Sequence, residues 1–343
     1  MGEFEFLARL RERLPEDGQK VKLGSGDDAA VTVPGGATAT SIDALVEGVH
    51  FRRGEAEPAA VGRKALATAL SDLAAMGAGT GEAYVALGVP GDLAEAELLG
   101  LLDGMLELAA ATGTTLAGGD LTRAPALTLA VTVVGHAPGT GDFVTRGGAR
   151  PGELVVLTGE LGGAAAGRLL LDDPDLAAAV PAALAAELRE RQLDPSPRLL
   201  SGSALAAAGA RAMIDLSDGL ASDAGHVAAA SGVALNVEAA RLRLSPGVAE
   251  AAAAAGLDPM RLAVSGGEDY ELLATLPPEA LEDACSRVAA AGEATIVAIG
   301  EVDEGEGVEI RLPGGERLEA KGYDHFAEPS RGSRSEARER RGG

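Results

Sequence analysis

The chain has 343 residues, enough for two domains, and 46% of them are hydrophobic, mostly Ala, Leu and Val. Its formal net charge of −23 argues against nucleic-acid binding through a basic face. Its single cysteine excludes a disulfide framework within the chain and a cysteine-based zinc site.

In chain order, the first element expected is an amphipathic helix over 3–14, with Phe6, Leu7, Leu10 and Leu14 along one side. The opening residues alternate in charge and lack an apolar segment, so no signal peptide is expected. No run is long enough to span a membrane, and a soluble, cytoplasmic protein follows as the expectation. Strands are expected at 29–33 and 37–45, then a helix over 58–77 that opens on Pro58. A strand at 82–89 precedes a helix over 92–112, for which Asp92 is a candidate N-cap. The Thr- and Val-rich segment 127–137 reads as a strong strand. The turn-rich stretch 138–153 then marks a domain boundary.

A second α/β alternation begins at "LVVLTG" (154–159). It continues through "RAMIDLSDG" (211–219), a helix at 219–231, a strand at 269–276, a helix at 278–291 and a strand at 294–300. Cys285 falls in the penultimate of these and reads as a packing residue. The fold class expected is α/β (α+β) in two domains: 1–137 with a mixed sheet, and 138–326. Residues 327–343, arginine-rich and without apolar periodicity, have the composition of a disordered tail.

The carboxylates are placed unusually. Asp27 and Asp28 sit in "GSGDDAAV", Asp43 ends "TSID", Asp72 interrupts an apolar helix, and Asp120 ends "LAGGD". Asp215 and Asp218 flank Leu216 and Ser217, while Glu268 and Asp269 follow two glycines. Isolated carboxylates in apolar or small-residue surroundings are costly unless paired, hydrogen-bonded or metal-bound. Oxygen donors of this kind suit a hard cation such as Mg²⁺, itself usually shared with substrate phosphates. Phosphate-directed groups accompany them: the glycines of "AGGD", Arg146 in "TRGGARPG", and Ser217 at the start of a helix. There is no Walker motif and no protein-kinase signature. Glu268 and Asp269 are adjacent, so only one of them is expected to face a ligand; Glu268 is preferred and Asp269 is the alternative.

The ordered series "GSGDDAAV", "SIDALVEGVHF", "KALATALSDLAAMGA", "AGGDLTR", "TRGGARPGE", "AMIDLSDGLASDAGH", "SGGEDYELL" and "KGYDHF" resembles the thiamine-monophosphate kinases, within the aminoimidazole ribonucleotide synthetase-like superfamily. The resemblance runs from about residue 3 to residue 326. It implies ATP-dependent conversion of thiamine monophosphate to thiamine diphosphate, several Mg²⁺ ions, and a homodimer joined through the N-terminal sheets. By motif position, Asp28, Ser41, Ile42, Asp43, Asp72, Asp120, Asp215 and Asp218 match the metal set. Gly119, Asp120, Arg146 and Ser217 match the ATP set; His50, Glu268 and Tyr323 match the thiamine-phosphate contacts. The chain departs from many relatives at Ile42, where they carry Thr or Ser. An isoleucine there can contribute only its backbone carbonyl. The acceptor phosphate is already anionic at neutral pH, so no catalytic general base is expected.

Overall fold

The computed structural model describes residues 20–23, 30–137 and 143–319. The helix expected at 3–14, Asp27, Asp28, Tyr323 and the arginine-rich tail lie outside the described residues, as does the start of the 138–153 boundary. A short pair, β1 (Val21–Leu23) and β2 (Val31–Thr32), runs antiparallel. The first domain is then built on a four-stranded mixed sheet of β3 (Thr38–Val46), β4 (Gly79–Val89), β5 (Thr115–Arg123) and β6 (Thr128–His136), in the order β3-β6-β4-β5. Only β4 and β5 run parallel.

One face of this sheet is covered by α1 (Pro58–Ala75), with α2 (Glu95–Thr112) packed on α1. Pro58 supplies the fixed φ of a first helical turn and lacks an N–H that would go unused there. Leu66, Leu70 and Leu73 of α1 are fully buried, each contributing about 1.5–3 kcal/mol relative to exposure. The two helices cross closely because both provide glycine at the contact. A Cβ on Gly62 would fall 1.8 Å from the Leu101 carbonyl oxygen, and one on Gly104 would fall 1.9 Å from that of Ala59. The second helix starts at Glu95, not at Asp92. The Glu97 carboxylate accepts the Ala94 N–H at 2.9 Å, whereas Asp92 is exposed and paired with Arg53.

The second domain contains β7 (Leu154–Thr158), β8 (Ala212–Asp215), β9 (Ala234–Glu238), β10 (Leu272–Leu276), β11 (Ile296–Asp303), β12 (Gly307–Arg311) and β13 (Arg317–Glu319). They form one mixed sheet, ordered β13-β12-β9-β11-β7-β10-β8, in which only β12 and β9 pair in parallel. Between β7 and β8 come four helices, α3 (Gly163–Asp172), α4 (Pro174–Ala178), α5 (Ala182–Leu193) and α6 (Leu199–Ala207). Farther along are α7 (Leu220–Ser231), α8 (Val248–Ala255), α9 (Pro259–Ser265) and α10 (Leu281–Ala291). Asp258 caps α9 by accepting the Arg261 N–H at 2.8 Å. Cys285 lies on α10 but is exposed, so it is not the packing residue expected.

The α1 helix belongs to both halves. Its core cluster also takes in Val156, Leu272 and Leu276 of the second sheet and Leu205 of α6. Thus the helix carrying Asp72 is clamped between the domains, and it brings that carboxylate to the middle of β3 and near the end of β8. Among the described residues, no helix is long and apolar enough to cross a membrane.

Candidate active site

A cleft of about 540 Å³ opens where β3, α1, α3, α5, the end of β8, α9 and the 266–270 segment meet. One part is acidic, lined by Asp43, Asp72, Asp215, Asp218 and Glu268; the other offers Leu45, Val49, Leu169 and Leu262. Period-two alternation along β3 turns Ser41 and Asp43 toward α1. The Ser41 hydroxyl donates to Asp72 Oδ2. On the next turn-face of α1, the Ser71 hydroxyl donates to Asp215 Oδ2 at 2.7 Å, tying the first domain to the second.

These acids are held in a setting that penalises their charge. Burial raises the Asp72 carboxyl; the Ser41 hydroxyl opposes the shift and the Asp43 charge adds to it. Asp215, only 4% exposed, is pushed up to about 7 by burial, then by the charge of Asp72. Arg146 lies near enough to both to favour their ionised forms. Its segment is fastened to β8 by the Met213 N–H donating to the Thr145 carbonyl at 3.0 Å. A cluster of carboxylates, raised by burial and mutual repulsion and satisfied only in part by hydroxyls, has the donor chemistry of a hard-cation site. The residues present fit Mg²⁺.

Asp223 and His226 were not singled out from the sequence. With Asp218 they bring one potential ligand atom each to within 4.8 Å of one another. The signal was present in "DGLASDAGH", where Asp223 and His226 share a helix face at i, i+3. Burial lifts Asp223 to about 7, reinforced by Asp215 and Asp218. Asp223 Oδ2 accepts the N–H groups of Asp218 and Gly219, at 3.1 and 3.0 Å. Those two donors are therefore occupied and do not supply the anion site expected after Ser217. Ser217 itself lines the cleft.

At the other end, His50 lines the cleft in the turn after β3, its Nδ1 accepting the Val46 N–H at 3.1 Å. Glu268 and Asp269 separate sharply. They lie in an irregular segment before β10, not in the strand expected from residue 269. Asp269 turns back to the start of α3, accepting the N–H groups of Gly162 and Ala164 at 2.7 and 3.1 Å. Glu268 adopts φ +66° and faces the cleft. Such a backbone is uncommon for a residue with a Cβ, and Tyr270 repeats it at +49°. The segment is pinned by Glu268 N–H to the Ser217 carbonyl (2.9 Å) and Tyr270 N–H to that of Leu216 (3.0 Å).

Ile42 lines the cleft, whereas Gly119 and Asp120 do not. The Ile42 side chain, on the opposite face of β3 from Ser41 and Asp43, is 69% exposed. "AGGD" lies in the middle of β5. Register places Asp120 beside Ala86, which pairs with Ala130 and through it with Ala44, so Asp120 shares the open face with Ile42. Two strands also separate β5 from β3, or about 14 Å at the usual interstrand spacing. Gly119 has a packing reason of its own: a Cβ there would lie 2.2 Å from the Val85 carbonyl oxygen.

Comparison with known proteins gives the family of the chain. Residues 26–137 match the family "AIR synthase related protein, N-terminal domain", and residues 150–313 match "AIR synthase related protein, C-terminal domain". A thiamine-monophosphate kinase of Mycobacterium tuberculosis is 41% identical over 280 residues, 80% of this chain and 80% of that protein. One from Escherichia coli K12 is 39% identical over 342 residues, 96% of this chain and 99% of its own length. The crystal structure of a thiamine-monophosphate kinase from Stenotrophomonas maltophilia K279a superposes with a TM-score of 0.80 at 36% identity, covering 94% of this chain and 98% of the other.

Proposed function

The chain belongs to the thiamine-monophosphate kinases, and from that premise we propose how its cleft performs the reaction. The activity is ATP-dependent phosphorylation of thiamine monophosphate to thiamine diphosphate. In it the terminal phosphoryl group leaves ADP, breaking one P–O bond, and a new P–O bond forms to an oxygen of the acceptor phosphate. The observation that carries the assignment of the site is the acid cluster of Asp43, Asp72, Asp215 and Asp218 at the junction of the domains.

That cluster would hold Mg²⁺, with Asp28 and the Ile42 carbonyl as further candidates by motif position. When bound, Mg²⁺ supplies the positive charge that lets two polyanionic substrates approach. Arg146 and Ser217 bind the ATP phosphates, Arg146 with a charge already shared between Asp72 and Asp215. His50 and Glu268 receive thiamine monophosphate, with Tyr323 a further contact by its motif; the Glu268 carboxylate suits the cationic ring of thiamine. Leu169, Leu262 and Val49 give that ring an apolar wall. No side chain needs to remove a proton, and transfer proceeds directly and in line, without a phospho-enzyme.

The work is shared across the domain junction: 1–137 supplies Asp43, Asp72 and the dimer contacts, and 138–326 supplies Asp215, Asp218, Arg146, Ser217 and the remaining wall of the cleft. The open face of the first sheet is the dimer surface. Ile42, exposed on that face, gains burial there. Gly119 and Asp120, which lie away from their own chain's cleft, then serve the ATP site of a second copy. The direct test is ADP release from ATP, which must require both thiamine monophosphate and Mg²⁺; ATP binding without acceptor-dependent turnover would overturn the assignment.

A further inference from the structure

Lys64 presents a puzzle of packing. It sits in α1, is 2% exposed, and shares that helix with the buried apolar residues that join the two domains. A buried ammonium is costly to desolvate, and a leucine or methionine would fill the same volume without that cost. Its head group has two oxygen partners. Nζ donates to the Gln192 carbonyl at 2.9 Å and lies 3.1 Å from Glu268 Oε1. The Gln192 side-chain amide donates to Glu268 Oε2. Each oxygen of Glu268 therefore has its own donor, one from α1 and one from α5. The main chain of Glu268 is fixed too, at φ +66° and by its N–H to Ser217. Gln192 and Glu268 line the cleft; Lys64 does not.

We propose that Lys64, assisted by Gln192, is a positioning residue that holds the Glu268 carboxylate toward the acceptor end of the cleft and so sets affinity for a cationic acceptor. Four other carboxylates line the same cleft, and their combined charge pushes a fifth away. The ammonium behind Glu268 offsets that repulsion and leaves a lone pair on each oxygen free for the acceptor. Because Lys64 belongs to α1, the same helix sets both the metal-facing Asp72 and the acceptor-facing Glu268.

The inference rests on Glu268 contacting the acceptor, and the experiment separates the two. The full-length enzyme is assayed by ADP release with thiamine monophosphate varied at saturating ATP and Mg²⁺, and then with ATP varied. Lys64→Met should raise KM for thiamine monophosphate about tenfold or more, the usual worth of a hydrogen bond to a charged group, with kcat within about threefold and KM for ATP unchanged. Lys64→Arg, which keeps the charge, should recover part of that loss. Adding Lys64→Met to Glu268→Gln should cost little more than Glu268→Gln alone, since both remove one interaction. If Lys64→Met lowers kcat and disturbs both KM values alike, or if the two losses multiply, Lys64 is only structural and the proposal fails. If Glu268→Gln leaves KM for thiamine monophosphate unchanged, the acceptor role of Glu268 falls, and the positioning role with it. Should Lys64→Met not fold, Gln192→Met removes one donor without stranding a charge, and it should raise the same KM by about threefold; an unchanged KM there overturns the proposal.

Discussion

Replacing Asp215 by asparagine separates the stability of the acid cluster from its function. Burial, with Asp72 alongside, lifts this carboxyl from 3.8 to about 7. Each pKa unit is worth 1.36 kcal/mol, so a shift of about three units costs the fold up to about 4 kcal/mol once the group is ionised. The sign follows from proton counting. The unfolded chain releases this proton near pH 4, the folded chain only near pH 7. Between those values the folded state holds the extra proton, so stability falls as pH rises and the full cost is present above about pH 7. Asparagine never ionises, and its side-chain oxygen can still accept the Ser71 hydroxyl. In thermal melts with chelator at pH 8, Asp215→Asn should therefore be more stable than the parent by about 1–4 kcal/mol, or roughly 2–8 °C. The gap should narrow below pH 7 and close toward pH 4. Millimolar Mg²⁺ at pH 8 should raise the melting temperature of the parent far more than that of the variant. Turnover should be nearly abolished in the stabilised variant. A variant less stable than the parent at pH 8, or a gap indifferent to pH, would refute the account of Asp215 as a strained, charge-bearing group.

Gly62→Ala places a methyl group 1.8 Å from the Leu101 carbonyl oxygen and must push α2 off α1; denaturant unfolding should show a loss of about 1–3 kcal/mol or more. If the proposed dimer forms, Asp43→Asn and Asp120→Asn should each be inactive alone. Random mixing of the two should restore about a quarter of parental activity, because half the dimers are hybrids and each has one site with both aspartates intact. No recovery on mixing would place Asp120 in its own chain's reaction, against its position on the open face of the sheet.

The carboxylates were legible because they break a local rule. Asp72 within an apolar helix, and Asp215 at the end of a buried strand, are placements that packing alone does not favour, and the structure does bring these two together through Ser41 and Ser71. The strands rich in Val and Thr and the helix opened by Pro58 were legible for the usual reasons of period and propensity. The four helices between β7 and β8 were not, because runs such as "DLAAAVPAALAAEL" are alanine on every side and offer no contrast between faces. β5 was not read as a strand either: "TLAGGDLTR" has two glycines and an aspartate where strand propensity asks for bulk, and pairing with β4 overrides that preference.

That one omission had the largest functional consequence. With Asp120 taken only as the residue that ends "LAGGD", nothing assigns it a face; within β5, period two commits it to one, and register with Ala86 decides which. Lys64 was hidden for a related reason. A lysine in an amphipathic helix normally extends its stem to solvent, and its burial is visible only once α5 and the Glu268 segment, both remote in the chain, have closed over it. A motif can name the residues that matter, but their roles depend on which surface each one faces. In this fold that is settled by strand register and helix crossings: register puts Asp120 on the face of the first sheet opposite the one that carries Ser41 and Asp43.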